Sequence, residues 1–589
     1  MNANGRIINR IFTKSVISII VAAMAAMLGI VIDGIVIGRF LGPESMAAYG
    51  LVMPVANLVT LFSGVLSTGV QIVCAQRLGS GDIKGARKAF SMCMVITVII
   101  SVILISVILS FRNDIVVFLG AKGNSAYLLP YASEYLLGLA FSIPSMLFLF
   151  EFNTLLRLDG DPNRIILAVG VMTVLDIAGD IINALVIRGG MLGIGLATTI
   201  SYAVAVVIVL FHFTKKDIIF RFSFKGLQLS DLKDIFLTGS SSAVGSASAV
   251  LRNTVLNNIL VLTVLSGTAV GAFGIMNTVL SFSQCTMIGI GLTASMIAGM
   301  LYGDRDRTAS EYLVRMTVKT DLLLGLSIGA VLFIFSGQIA SIFGNKDGQA
   351  MVELAGRAIR FYAFSVALYG INNSFVNYVQ GMKRMVIANV YGFLQNFLFI
   401  AVPAVSLIGL IDTDAVWAAF VIGEILTLIC VVILAAVNKK GMPYRFRDFL
   451  FLPNCFDLSD EDICEISISR QEQVIPASLE IDRFCRKKGA DAKIRLLLPL
   501  FVEELGNNVS SYGFGDDGKN SMDIRVICDR EGFALRIRDN CRMFDPVEWA
   551  RINEAGDPAA NIGIRMVLGM ASDVSYVNTL ELNILTIRI

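Results

Sequence analysis

Asp33, Asp176 and Asp180 each stand inside a long apolar run, where a carboxylate is costly to keep. A charged group at the centre of a bilayer costs about 2.5–3.5 kcal/mol on insertion scales, so such residues usually face a cavity and act there. Asp176 and Asp180 are four residues apart and Asn183 follows three later, which places all three on one helical face. Asp33 lies 19 residues past Lys14, and Asp180 lies 16 past Arg164. At about 1.5 Å per residue, both sit roughly 24–29 Å from the same membrane edge. The three acids can therefore share one site, and their repulsion is relieved by a bound proton or a sodium ion. The alternative is that they bond to neighbouring helices and carry no ion. A second set of candidates lies far downstream. Glu504 and Asn508 are four apart, Asp539 ends an alternating stretch, and Gly563 opens an apolar one. A carboxylate at Glu504 can orient or deprotonate water or a hydroxyl, and the Asn508 oxygen can hold magnesium. Asp539 can accept from an exocyclic amine of adenine, and a helix opening at Gly563 suits a phosphate.

The elements that must position these groups follow from composition. Apolar residues make up 55% of the chain and charged residues only 16%, which places it in the membrane class. Twelve apolar segments recur between residues 14 and 437, each long enough to span a bilayer. The stretch from Met1 to Lys14 is polar and the apolar run after it lacks a small-residue cleavage site, so it reads as a first membrane helix. Basic residues cluster in alternate loops: Arg77, Lys84, Arg87 and Lys88; then Lys215, Lys216, Arg221, Lys225 and Lys233; then Lys383 and Arg384; then Lys439 and Lys440. These loops should face the cytoplasm of a multi-pass inner-membrane protein, with both termini on that side. No extended basic stripe stands outside them, so a nucleic-acid partner is not expected. The nine cysteines form no CxxC pair and His212 is the only histidine, which excludes zinc and iron–sulfur spacing.

The chain also repeats itself. Tyr49-Gly50, Gly79, Asp82, Gly120 and Lys122 match Phe273-Gly274, Gly303, Asp306, Gly344 and Lys346 at one offset (303 − 79 = 224); Asn153 and Arg164 match Asn373 and Arg384 at an offset of 220. Each repeat holds six spans, so the pseudo-symmetry axis should run along the membrane normal with a cavity between the halves. The repeat equivalents of Asp176 and Asp180 are Asn396 and Ile400. Ion chemistry is thus biased to the first half. Asn257, Gln284 and Asn373 in the second half, with Asn183 in the first, are candidates for substrate contact or helix packing. Glu424 reads equally as ion site or helix glue. Glu151 and Arg157 read as a snorkelling or gating pair. The expected domains are a six-helix bundle over 1–213, a loop over 214–233, a second bundle over 234–440, a linker over 441–470, and a soluble mixed helix-and-strand (α+β) domain over 471–589.

Asp33-Gly-Ile-Val-Ile-Gly-Arg-Phe-Leu-Gly42, Ala47-Ala-Tyr-Gly50, Gly79-Ser-Gly-Asp82 and Leu175-Asp-Ile-Ala-Gly-Asp180 resemble the multidrug and toxic compound extrusion (MATE) exporters, over about residues 8–440. The resemblance implies export of organic, often cationic, compounds driven by sodium or protons. Asp33 and Asp180 match the family's acids in the first and fifth helices; Asp176 stands where asparagine is commoner. Val502-Glu-Glu504-Leu-Gly-Asn-Asn508, Asp539-Asn-Cys-Arg-Met-Phe-Asp545-Pro546 and Asn561-Ile-Gly563-Ile-Arg-Met-Val567 resemble the histidine-kinase-like ATPase domains of anti-sigma-factor serine kinases. That resemblance implies ATP and magnesium as ligands and a cytoplasmic regulatory protein as a partner. Cys541 and Asn561 replace glycines of the family's boxes, putting side chains where backbone should approach the nucleotide. No GxxxxGK[ST] run occurs, so ATP use should be regulatory or protein-phosphorylating. The leading expectation is a cation-coupled exporter with an ATPase-like regulatory tail. Its rivals are a membrane-anchored signalling protein with a kinase or partner-switching tail, and a flippase for a lipid-linked precursor.

Overall fold

The computed structural model describes residues 3–215, 218–261, 266–343, 349–453, 456, 460–514, 520–529, 532–552 and 562–589. Lys216, Gly344, Lys346, Cys455, Asp457 and Asn561 lie outside the described residues.

Apolar runs in lipid must satisfy their own backbone and therefore coil into helices. The first half comprises α1 (Ala3–Val36), α2 (Pro43–Gly79), α3 (Ile83–Leu119), α4 (Leu129–Ala140), α5 (Ile143–Leu158), α6 (Pro162–Ile182) and α7 (Gly190–Leu210). The second comprises α8 (Leu229–Val261), α9 (Ser266–Asp304), α10 (Arg307–Ile334), α11 (Ser336–Ile342), α12 (Gln349–Gly381), α13 (Met385–Phe393), α14 (Phe399–Ile411) and α15 (Asp414–Lys439). Among the described residues nine helices are long and apolar enough to cross a membrane, and the α4–α5 pair, bent by 49°, makes a tenth. The bend falls just before Pro144, where the sequence suggests one straight span over 130–156. α8 and α12 are equally long but less apolar. They occupy the repeat positions of α1 and of α4–α5, which completes two sets of six.

The duplication is visible in reciprocal detail. Asp82 caps α3 by accepting from Gly85 N at 2.8 Å, and Asp306 caps α10 by accepting from Ala309 N at 2.9 Å. Gly79 and Gly303 meet where α2 crosses α9. A Cβ on Gly79 would fall 2.0 Å from the Met300 carbonyl oxygen, and one on Gly303 would fall 2.0 Å from that of Gln76. Since 76 + 224 = 300 and 79 + 224 = 303, each half makes the other's contact, as a local two-fold axis requires. Nearby, Gly69 of α2 touches the Ile235 carbonyl and Gly239 of α8 touches the Val65 carbonyl, a mutual close approach of two helices that are not repeat equivalents.

The C-terminal domain is a five-stranded antiparallel sheet in the order β1-β2-β3-β5-β4. Its strands are β1 (Ile463–Ile468), β2 (Met522–Asp529), β3 (Gly532–Asp539), β4 (Asp573–Thr579) and β5 (Leu582–Arg588). Its helices are α16 (Val474–Lys487), α17 (Ala492–Gly513), α18 (Pro546–Ile552) and α19 (Ile562–Met570). Strand alternation sends Ile524, Leu535, Ile537 and Ile587 into a core with Val474, Ile481, Leu498, Phe501 and Val567. β1 lies inside the stretch expected to be linker and pairs with β2. The part of the linker before it is not free either. Leu450, Phe451 and Phe456 are buried in the membrane-domain core, and Arg384 donates to the carbonyls of Phe451 (3.2 Å) and Leu452 (2.8 Å).

Candidate functional sites

The first site is the acid group of the N-terminal bundle. Asp33 on α1 and Asp176 and Asp180 on α6 are all buried. Asp33 and Asp180 face each other within hydrogen-bonding reach, a contact two carboxylates make only with a proton or cation between them. Among the described residues neither oxygen of Asp180 has a donor, and Asp33 Oδ1 also lacks one. Buried orphan oxygens of this kind fit a bound cation or proton. Asp176 has a donor, accepting from Ser201 Oγ at 3.0 Å. Each helix ends beside the site in a π-helical turn, Ile37–Leu41 after α1 and Asn183–Ile187 after α6. Such turns widen the helix and often occur where side chains must be aimed. Asn183 itself is occupied locally: its Nδ2 donates to Gly190 O (2.9 Å) and its Oδ1 accepts from Gly189 N (3.1 Å).

The C-terminal bundle holds its own buried acids. Glu424 accepts from Asn372 Nδ2 at 2.7 Å and Gln395 Nε2 at 3.2 Å, and Tyr391 donates to Asn372. Asp321 on α10 is fully buried and beside Gly370; sequence reading passed it over. Its repeat equivalent is Thr97 (321 − 224 = 97), which bonds Glu151 of α5. Glu151 and Arg157 do not pair: Arg157 donates to Asn153 O at 2.5 Å instead. Asn373 reaches Met287 O at 3.3 Å across to α9, while Asn257 and Gln284 are half-buried on α8 and α9.

The second site is a cavity of about 710 Å³ in the C-terminal domain, large enough for a nucleotide-sized ligand. Asn508 and Tyr512 of α17, Asp539 of β3, Cys541, Ile564 and Asn583 line it. Asp539 Oδ1 accepts from Asn583 Nδ2 (2.7 Å) and Cys541 N (2.9 Å). Burial nevertheless pushes its carboxyl above the usual range. An oriented, buried carboxylate on the floor of an apolar cavity fits recognition of an amine-bearing ring. Burial and the neighbouring Asp539 push the Cys541 thiol up to about 12, so it stays protonated. Cys541 packs against the end of α17: a Cβ on Gly513 would lie 2.7 Å from it. Gly563 lies directly against Glu504; a Cβ there would sit 2.0 Å from Glu504 Oε2. Glu504, Asn508, Asp539 and Gly563 therefore gather around one end of α17.

The opposite face of the same sheet meets the membrane domain, and sequence reading did not foresee this. Arg538 donates from Nη1 to Asp304 Oδ2 and from Nη2 to Asp306 Oδ2, both at 2.8 Å. Arg536 also pairs with Asp304, and Arg525 donates to the carbonyls of Asp304 (3.1 Å) and Arg305 (2.9 Å). On the other bundle, Thr579 Oγ1 and Leu580 N donate to Leu158 O at 2.7 and 3.2 Å, and Lys14 pairs with Glu581. The alternation of charge along β3 was the available signal, but it reads equally well as a solvent face.

Together, two repeated six-helix bundles with acids buried in the first define a transporter class. Comparison with known proteins narrows it. The MatE family model matches residues 18–182 and again 243–405, and a histidine kinase-like ATPase domain model matches 468–589. The chain belongs to the MatE family and carries a C-terminal histidine kinase-like ATPase domain; it is a multi-pass membrane protein. It is similar to "Probable multidrug resistance protein YoeA" of Bacillus subtilis (strain 168), 22% identical over 57% of this chain and 73% of that one. It is also similar to "Multidrug export protein MepA" of Staphylococcus aureus (strain COL), 23% identical over 70% and 90%. Among solved structures, an outward-facing multidrug resistance MATE transporter of the MOP superfamily aligns with a TM-score of 0.66 at 22% identity, over 71% of this chain and 93% of that one. A MOP superfamily transporter from Pyrococcus furiosus aligns equally well, at 0.66 and 22% over 72% and 94%. These likenesses place the fold.

Proposed function

We propose that this protein exports small organic, cationic molecules across the cytoplasmic membrane in exchange for an inward-moving cation, under the control of its C-terminal domain. The Asp33–Asp180 contact carries the reading. Two facing buried carboxylates, with no donor to three of their four oxygens among the described residues, bind a proton well, and their release of it depends on which side of the membrane they see. A proton is the simplest occupant, because two carboxylates within hydrogen-bonding reach of each other can share one directly. The relatives named for multidrug export support the substrate class. The basic loops and the domain docked beneath them support a cytoplasmic placement of that end and of both termini.

In the C-terminal domain, Asp539 would recognise an adenine ring, and Asn508 would hold the magnesium that accompanies its phosphates. Glu504 would then stand near the phosphate end, beside the start of α19. Docking of the sheet onto the bundles favours regulation of the transporter over a free-standing signalling kinase. The test is efflux of a fluorescent cation from cells or proteoliposomes under opposed proton and sodium gradients. The Asp33→Asn, Asp180→Asn double variant should lose at least tenfold in rate, and a proton gradient alone should support the parent. Full activity in the double variant would sink the proposal.

A further inference from the structure

We propose that the C-terminal domain is a latch that holds the two bundles closed at the end it covers, and that it opens by lifting its β4–β5 hairpin off the N-terminal bundle. The inference rests on the reading of the membrane domain as an alternating-access transporter. At the tail-side end the bundles meet backbone to backbone, through Gly79 against Gly303, Gly69 against the Ile235 carbonyl and Gly239 against the Val65 carbonyl. Ser242 Oγ of α8 donates to Thr68 Oγ1 of α2 at 3.0 Å, and Gln76 donates to Gly381 O at 2.9 Å across the same seam. Opening toward this side must break these contacts.

The C-terminal sheet lies across that seam. On the second bundle it grips Asp304 and Asp306, just beyond Gly303, through three buried arginines. On the first bundle, Ser575 approaches Gly81, two residues beyond Gly79, and the hairpin tip sits on Leu158 and Lys14. β3, β5 and β4 are adjacent, continuously hydrogen-bonded strands, so the two anchors belong to one stiff body. The bundles therefore cannot part at this end while both anchors hold.

The anchors are unequal, which decides where release occurs. The second-bundle anchor is buried and reinforced by the linker, with Arg447 bonded to Glu311 at 2.7 Å. The first-bundle anchor also buries apolar side chains of the hairpin, Val577, Leu580, Leu582 and Ile584, against the membrane-domain core, but its ion pair is well exposed, with side-chain exposures of 40% for Lys14 and 37% for Glu581. Its tip residues, Leu580 (φ 54°) and Glu581 (φ 62°), are both left-handed, in a turn that favours Asn-Gly. An exposed ion pair contributes little and breaking a buried charge pair costs more, so the hairpin is the part that lets go first.

The test uses the full chain with its native cysteines replaced, carrying the Thr68→Cys, Ser242→Cys pair as a disulfide reporter of closure. Leu580→Asp, which puts a charge at a buried tip position, should lower the cross-link yield at least threefold and raise tail-side thiol labelling. Glu581→Lys and Lys14→Glu should each lower it, and their combination should restore it, which excludes simple misfolding. Equal yields throughout, or a swap that fails to restore, would overturn the latch. Swap-dependent yields in a parent that shows no efflux would instead refute the transport reading and leave the latch standing.

Discussion

Asp306 carries two duties at once. It caps α10, and it pairs with Arg538 across the seam. Burial alone would push its carboxyl up, but Arg525 and Arg538 outweigh this and hold it below the ordinary range. A depressed docked value means the contribution is complete above the undocked carboxylate pKa, about 4, and is lost as pH falls below that through the docked value. Tail stability in the full chain should thus be flat in this respect from neutral pH to about 5 and decline below 4. Asp306→Asn keeps the cap, because asparagine caps well, but removes the charge. Removing one partner of a buried pair costs about 3 kcal/mol. The urea midpoint of the tail, followed through Trp549 fluorescence, should fall by roughly 2 M for a slope of about 1.5 kcal/mol/M. An unchanged midpoint would show that this charge does not hold the tail. The burial of Asp33, Asp176 and Asp180 was legible in the sequence because each acid stands inside a long apolar run. Arg525, Arg536 and Arg538 were not, since their partners lie more than 200 residues away (525 − 306 = 219) in a loop that reads as a polar break. Asp321 satisfies the rule that selected Asp33 and could have been found by applying it to every span.

The repeat fixes how helices meet as well as how many there are. Gly79 and Gly303 were visible as matched positions, but their shared offset could not reveal that they touch. What requires glycine is the carbonyl of the facing helix, since a Cβ at either position would overlap main-chain atoms that cannot rotate away. Gly79→Leu and Gly303→Leu should therefore have the same effect, each abolishing the Thr68–Ser242 cross-link and cutting efflux at least tenfold. Gly50→Leu, with nothing within 4 Å of its Cβ, should leave both near the parent value. A difference between Gly79→Leu and Gly303→Leu would contradict the reciprocal contact. Other elements were harder to read. β1 hid because acidic residues surround Ile463–Ile468 and mask its alternation, and its pairing with β2 joins segments about 60 residues apart (524 − 466 = 58). The π-helical turns leave no mark in apolar periodicity at all.

On the scale of the whole molecule, the membrane domain does not stop where its last span ends. Leu450, Phe451 and Phe456 fold back into its core, so a chain ending at Lys440 loses these buried side chains as well as the sheet domain, whereas one ending at Phe456 keeps them and loses only the sheet domain with its Val577, Leu580, Leu582 and Ile584 contacts. If the latch restrains opening, the Phe456-terminated chain should express better than the Lys440-terminated one and export at least as fast as the full chain. The Lys440-terminated chain should show lower yield in detergent, since each buried Leu or Phe that it lacks contributes about 1.5–3 kcal/mol. Slower export by both would mean the sheet domain is needed for turnover. The anchored linker has one more consequence. Because Phe456 is pinned and β1 begins only seven residues later (463 − 456 = 7), the sheet domain can never drift far from its seat. A short tether imposes an effective concentration on the order of millimolar. Under that condition a hairpin contact with a Kd of only about 1 mM, near −4 kcal/mol, is already half engaged. The fusion can thus use a seat too weak to capture a free domain, and such a seat reopens on the timescale of a transport cycle.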